Sequence, residues 1–321
     1  MASVIGLVLP FFGLIALGFA AARITRQPIE ALGWMNTFVI YVALPALFFN
    51  LLAQTPVEEL TRWRFIAATT LSTFAIFALM FVIAILRTGG RIAESTVMGL
   101  AAAYGNIGYM GPGLALLAFG EAAVVPVALI FCFDNTLHFI IAPLMMALSD
   151  QGADRPPAYR LALDVVRRIV FHPFILATIV GIGAAVFGLR PPAPVQTLLD
   201  YLAGAAAPCA LFAMGVTLAL RPLRRVPVET VFIVPIKLIV QPLLAYVLVS
   251  YVGDFPPVWV YSAMLLAALP SATNVYVIAQ QYGVWVERAS AMVLLTTVGS
   301  VATVTALLYL MTNAILPPDL F

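Results

Sequence analysis

Five side chains stand out because they interrupt long apolar runs. Asn106 lies in Tyr104-Gly105-Asn106-Ile107-Gly108-Tyr109-Met110-Gly111-Pro112-Gly113, and Asn274 closes Leu269-Pro270-Ser271-Ala272-Thr273-Asn274. Asp134, His138 and Lys237 are ionisable groups in similarly apolar surroundings. A run so rich in glycine and proline cannot sustain a straight helix. Unwinding frees backbone N–H and C=O groups, which is costly in hydrocarbon unless they line a cavity. The half-helices that follow carry partial positive charge and free donors at their N-termini, which suits an anion. Asn106, Thr273 and Asn274 add side-chain donors and acceptors. Gly111, Pro112 and Pro270 set the backbone on either side. The expected chemistry is recognition of an anion.

Asp134 and His138 are four residues apart, on one side of a helix, with Asn135 beside them. Histidine titrates near neutral pH and can relay protons. Lys237 can serve as counter-charge to Asp134 or to an anionic substrate. Ionisable groups inside a membrane are functional candidates by default. A structural ion pair or hydrogen-bond network between helices is an equally open reading. These four residues are therefore expected to tune charge or to couple transport to Na+ or H+.

The elements that must position these groups follow from composition. The chain has 321 residues, of which 63% are hydrophobic and 9% charged, with a formal net charge of +2. Soluble domains carry about 25% charged residues, so a water-soluble fold is excluded, and disorder is excluded for the same reason. Ten apolar segments can be marked, at 4–22, 34–53, 65–86, 97–118, 124–148, 169–188, 196–220, 229–251, 257–280 and 288–315. Each is long enough for a spanning helix, and β-barrel alternation is absent. The fold class expected is an all-α polytopic membrane protein.

An offset of 163 residues separates Pro10 from Pro173, Pro45 from Pro208 and Gly120 from Gly283. The same shift lays the 104–113 interruption over the one at 269–274. Five segments per unit is odd, so the second unit enters the membrane from the opposite side, an inverted repeat of the kind secondary transporters use. Residues 1–148 form the first repeat, 149–168 a linker and 169–321 the second. Paired interruptions in such repeats point to the substrate site. Pro45 and Pro208 are expected to shape a kinked scaffold.

Arginines orient the chain. With the N-terminus outside, inside loops hold Arg23, Arg26, Arg87, Arg91, Arg155, Arg160, Arg167, Arg168, Arg221, Arg224, Arg225 and Arg288. Outside loops then hold Arg62, Arg64 and Arg190. Positive charge collects in cytoplasmic loops, so both termini are expected outside the cytoplasm and the linker inside. The N-terminus has no basic n-region, so its first apolar run reads as a retained helix.

Other classes lack their signatures. Two histidines and two cysteines, far apart, give no metal-ligand cluster. Cys132 and Cys209 lie in apolar runs and read as packing residues. There is no Walker A pattern and no nucleophile elbow, and net charge gives no sign of nucleic acid. No cofactor and no enzymatic activity are expected.

The whole chain resembles the auxin efflux carrier family, including its bacterial malate- or malonate-permease members. The resemblance rests on Leu44-Pro45-Ala46-Leu47-Phe48, Gly105-Asn106-Ile107-Gly108-Tyr109-Met110-Gly111-Pro112, and Pro208-Cys209-Ala210-Leu211-Phe212-Ala213-Met214-Gly215. Lys237-Leu238-Ile239-Val240-Gln241-Pro242 and Leu269–Ala279 with Tyr282-Gly283 complete it. It implies a ten-helix fold of the sodium/proton-antiporter and bile-acid-symporter type. Segments one, two, six and seven would form a dimerising scaffold. Segments three to five and eight to ten would form a moving transport domain, with four and nine crossing at their breaks. It also implies a carboxylate site near that crossing, with the family's asparagine at Asn106. Here Gly105 stands where the plant carriers commonly have proline, and the motif's closing proline falls one place early, at Pro112.

The reading is a transporter of a small organic anion, a mono- or dicarboxylate such as malate, malonate or an auxin-like acid. It is expected to work by an elevator motion, as a homodimer surrounded by lipid in the inner membrane. The alternatives are a sodium- or proton-coupled ion exchanger of the same fold, and a membrane sensor.

Overall fold

The computed structural model describes residues 2–149, 159–160, 163, 166–167, 170–220 and 226–320. Most of the linker at 149–168 lies outside the described residues, as do Arg155, Arg168, Arg221, Arg224 and Arg225. Apolar surroundings leave backbone groups no partner but the chain itself, and helix is the local solution. Among the described residues every regular element is helical. Six helical stretches are long and apolar enough to cross a membrane: Glu30–Ala53, Trp63–Thr88, Gly111–Ser149, Ala193–Leu220, Thr230–Val252 and Val286–Thr312. Leu9–Thr25, Ile92–Ala103, Ile175–Val186 and Pro257–Ala268 are shorter apolar helices. The protein is thus an integral, multi-pass membrane protein.

Two of the ten apolar segments are not single helices. The 97–118 run splits into Ile92–Ala103 and Gly111–Phe119, and the 257–280 run splits into Pro257–Ala268 and Thr273–Tyr282. Pro112 opens the Gly111–Phe119 helix at a position where its missing N–H costs nothing. Leu269 is extended, at φ −64° and ψ 149°, as the residue before Pro270 is driven to be. Two wider π turns also appear, at Val39–Ala43 before Pro45 and at Ile236–Val240 before Pro242. A π turn accommodates the hydrogen bond that a following proline cannot make. Pro208 lies inside the Ala193–Leu220 helix.

Packing gathers the helices into two sets. Ala2–Thr25 lies along Ala193–Leu220, and Leu44–Ala53 packs on both Pro173–Val186 and Ala193–Leu220. The first pair approaches backbone to backbone at two glycines. A Cβ on Gly18 would strike the Phe212 carbonyl, and one on Gly215 would strike the Ile15 carbonyl. Small residues permit this approach, which is how helices gain dispersion energy in lipid. The second set joins Trp63–Thr88, Ile92–Ala103, Val124–Ser149, Gln241–Val252, Pro257–Ala268 and Val286–Thr312. Its buried hydroxyls mostly bond back to the preceding helical turn, as Thr69, Thr296 and Thr297 do, which keeps polar groups satisfied away from water.

Candidate functional site

The two helix breaks are bonded to each other. Asn106 N–H donates to the Pro270 carbonyl across 2.7 Å, and Ala272 N–H donates to the Tyr104 carbonyl across 2.8 Å. Gly105 and Ser271 thereby face each other as one antiparallel bridge. Ser271 Oγ donates to the Ala101 carbonyl at 2.6 Å, and Ser271 N–H donates to Thr296 Oγ1 at 3.1 Å. Groups released by unwinding thus find partners at the junction itself, which makes an unwound backbone tolerable in an apolar setting.

On one side of this junction a cavity of about 730 Å³ opens, within the range usual for small-molecule sites. Tyr104 organises its inner end. The Tyr104 hydroxyl donates to Asn135 Oδ1 at 2.7 Å and accepts from Asn274 Nδ2 at 2.8 Å. Asn135 Nδ2 passes the chain on to the Phe131 carbonyl at 2.8 Å. The Tyr104 ring stacks on the His138 ring, 3.9 Å between centroids and 4° from parallel. Asn106, Thr273, Asn274, Asn135 and His138 all line the cavity. Farther out it is lined by Arg167 and by His172, whose ring packs 4.7 Å from Phe139. No aspartate or glutamate is among the described lining residues.

Asn106 is buried, and its Nδ2 donates to the Met214 thioether at 3.2 Å. Sulfur is a weak acceptor, so this buried amide donor is only weakly engaged. Gly111, Pro112 and Pro270 do not line the cavity. They act through the backbone: Pro270 offers its carbonyl to Asn106, and Gly111 and Pro112 start the second half-helix.

Asp134 and His138 part company despite their spacing. Four residues turn a helix about 40° past a full circle, and this is enough to send the two side chains to different sides. His138 faces the cavity, while Asp134 Oδ2 accepts from Thr73 Oγ1 at 2.8 Å in the neighbouring Trp63–Thr88 helix. Lys237 does not form an ion pair with Asp134 among the described residues. Its Nζ donates to Gln241 Oε1 at 2.5 Å and to the Ala267 carbonyl at 2.8 Å. Gln241 Nε2 in turn donates to the Ala103 carbonyl at 2.9 Å. Ala103 ends its half-helix, and Ala267 is the last residue but one of the other. Lys237 and Gln241 therefore tie off the orphan carbonyls of both interrupted helices, and a cation there also meets the negative ends of two helix dipoles. Lys237 sits within a π turn, a common device at functional positions.

The sequence reading passed over Tyr104, Thr73, Gln241 and Met214 as site residues. Tyr104 had a signal, since it is the first residue of the break and, with Tyr109, one of two hydroxyl-bearing aromatics in it. Met214 and Thr73 had none, because a methionine and a threonine in apolar helices are ordinary packing residues.

The chain matches a family model described as membrane transport protein over residues 3–309. It is 60% identical, over the full length of both chains, to a Rhizobium meliloti (strain 1021) protein named "Putative malonate transporter". It is 26% identical to an uncharacterized transporter of Methanothermobacter thermautotrophicus, over 91% of this chain and 93% of that one. It is also 24% identical to the mouse lysosomal cholesterol signaling protein, over 87% of this chain and 34% of the mouse protein.

Proposed function

The chain belongs to the membrane transport protein family, and from that premise we propose that it carries a small organic anion, a carboxylate of the malonate class, by alternating access. It is a transporter and not an enzyme, as its family and relatives are. Its resemblance to the auxin efflux carriers holds over nearly the whole length.

One observation carries the anion reading. The cavity that ends on the paired breaks presents Asn106, Asn274, His138, His172 and Arg167, with no carboxylate among its described lining residues. Asn274 keeps its Oδ1 and a second N–H after bonding to Tyr104, and Asn106 exchanges a thioether for a carboxylate oxygen. A hydrogen bond to an ionised acceptor is roughly twice as strong as a neutral one, and this difference favours substrate over the resting contact. The name of the Rhizobium meliloti relative directs the choice within carboxylates toward malonate.

The finer reading is a ten-helix inverted repeat. It is supported by element bounds that recur near the 163-residue offset, for instance Ile92–Ala103 with Pro257–Ala268 and Val124–Ser149 with Val286–Thr312. In this reading residues 1–148 and 169–321 are the repeats, and the breaks are a crossing. The two packing sets become a scaffold, built on Ala2–Thr25, Leu44–Ala53, Pro173–Val186 and Ala193–Leu220, and a transport domain that slides against it as an elevator. Pro45 and Pro208 shape that scaffold, through which two copies pair. The arginine bias puts both termini outside the cytoplasm of an inner membrane, so the cavity, which runs out to Arg167 and Tyr282, faces inward. Asp134, Asn135, His138 and Lys237 tune charge or couple the movement to Na+ or H+.

The test is uptake by the purified protein in proteoliposomes. Labelled malonate should accumulate by counterflow, unlabelled malonate and related dicarboxylates should compete, and neutral analogues should not. Absence of counterflow with every mono- and dicarboxylate tried, from protein that is folded, overturns the proposal.

A further inference from the structure

A separate pocket of about 130 Å³ lies where four helix ends meet, and it shares no lining residue with the large cavity. Arg87 is in the last turn of Trp63–Thr88. Arg91 immediately precedes Ile92–Ala103, and Glu94 is in that helix's first turn. Glu229 immediately precedes Thr230–Val252, and Arg288 is in the first turn of Val286–Thr312. Gly89 and Gly90 have φ of 66° and 92°, a conformation open to glycine. They let the chain reverse and bring Arg87 and Arg91 to one opening. Charged groups at helix ends lie at headgroup level in a bilayer.

The charges of this pocket are only half matched. Arg91 donates to Glu94 Oε1 and Arg288 to Glu229 Oε1, each at 2.6 Å. Arg87 makes no hydrogen bond and no ion pair among the described residues, and its guanidinium lies 4.8 Å from the centre of the Phe232 ring. The second oxygen of each glutamate accepts nothing among the described residues, and Glu229 Oε2 is buried as well. A buried carboxylate oxygen without a donor is costly. Donors without an acceptor and acceptors without a donor thus line one pocket, three positive side chains against two negative. Met80, Met98 and Phe232 add apolar wall.

An unbonded guanidinium suits a phosphate, whose oxygens it takes in pairs. A purely anionic ligand would also meet Glu94 and Glu229. A ligand that carries both a phosphate and a primary ammonium answers both signs at once. We propose that this pocket holds the phosphoethanolamine headgroup of a membrane lipid, its phosphate on Arg87 and its ammonium against Glu94 and Glu229. Phosphocholine has no N–H to give, and phosphoglycerol has no positive charge. Val228, which lines the pocket, is 70% exposed, and Leu86 beside Arg87 is 78% exposed. Apolar surface at the rim accommodates glycerol and the upper acyl chains, which favours a lipid over a free phosphate ester. Pockets between membrane helices at the cytoplasmic side are suited to headgroups. A headgroup here ties Ile92–Ala103, which leads into the first break, to Thr230–Val252, which carries Lys237. Lipid binding is independent of the solute carried.

The experiment is thermal unfolding of the purified, delipidated full-length protein in detergent. Phosphatidylethanolamine, phosphatidylglycerol or phosphatidylcholine with identical acyl chains is added. A bound lipid stabilises by mass action, so phosphatidylethanolamine should raise the midpoint most. Soluble phosphoethanolamine at the same concentration should not. Arg87→Met removes the phosphate's partner, and Glu94→Gln removes a partner of the ammonium. Each should raise the half-maximal phosphatidylethanolamine concentration by about tenfold, the change expected for losing one charge-assisted hydrogen bond. Glu94→Gln should also erase the preference over phosphatidylglycerol. If Arg87→Met does not fold, Arg87→Lys decides, since it keeps the charge and loses the fork. Equal shifts from the three lipids, or a larger shift from either of the other two, overturn the proposal. A shift from soluble phosphoethanolamine as large as the lipid's overturns the lipid assignment. A phosphatidylethanolamine effect unchanged in the folded variants places the lipid elsewhere and overturns the proposal equally.

Discussion

The Asn274 amide donates to the Tyr104 hydroxyl across 2.8 Å, from one interrupted helix to the other. One phenol thus receives from Asn274 and gives to Asn135, while its main chain receives Ala272 N–H. Tyr104→Phe keeps the ring and its stack on His138 but leaves two amides without their shared partner. Unsatisfied buried polar groups cost about 1–3 kcal/mol each. Carboxylate affinity should fall by about tenfold or more, with a lower unfolding midpoint, both read on the same purified variant.

Asn106 and Asn274 are the two side chains we expect to hold the substrate. Replacing both by Ala should abolish uptake and remove any thermal shift by carboxylates, while circular dichroism stays helical. Normal uptake by the double variant would sink this site assignment.

Lys237 is completely buried and bonded to Gln241 and to the Ala267 carbonyl. Lys237→Met fills the same volume but leaves both acceptors unmatched. A buried acceptor left unmatched costs about 1–3 kcal/mol. The variant should unfold at a clearly lower temperature and transport poorly. Wild-type stability would show that the lysine does not hold the break.

Arg167 lines the outer part of the cavity and is exposed. Its charge should act by steering, which salt screens over about 10 Å at 0.1 M. Arg167→Glu should therefore slow anion uptake most at low ionic strength, and the gap from wild type should close as salt rises. A deficit independent of salt would argue for direct contact instead.

Gly215 faces the Ile15 carbonyl with no room for a methyl group. Gly215→Ala must part the Ala2–Thr25 and Ala193–Leu220 helices, and overpacking of this kind costs about 1–3 kcal/mol. A lower unfolding midpoint, with carboxylate affinity retained by the folded fraction, is the expected outcome. An unchanged midpoint would mean that the two helices do not depend on this close approach.

The amino-acid sequence by itself determined that the chain is helical and membrane-embedded, because its apolar runs permit nothing else. Gly105, Gly111, Pro112 and Pro270 marked both breaks, since those residue types act on their own backbone within a few positions. The 163-residue offset drew attention to the same two places. Only the tertiary structure decided what each polar group meets. Asp134 and His138, four apart, met different partners, Thr73 on one neighbouring helix and the Tyr104 ring at the break. Lys237 met Gln241 and Ala267, not Asp134, because the carbonyls of two broken helices converge there. Met214 and Thr73 entered the site from helices whose sequences mark them as ordinary packing. Backbone preference is written in neighbours along the chain, whereas a hydrogen-bond partner 108 or 61 residues away is fixed only when the helices pack.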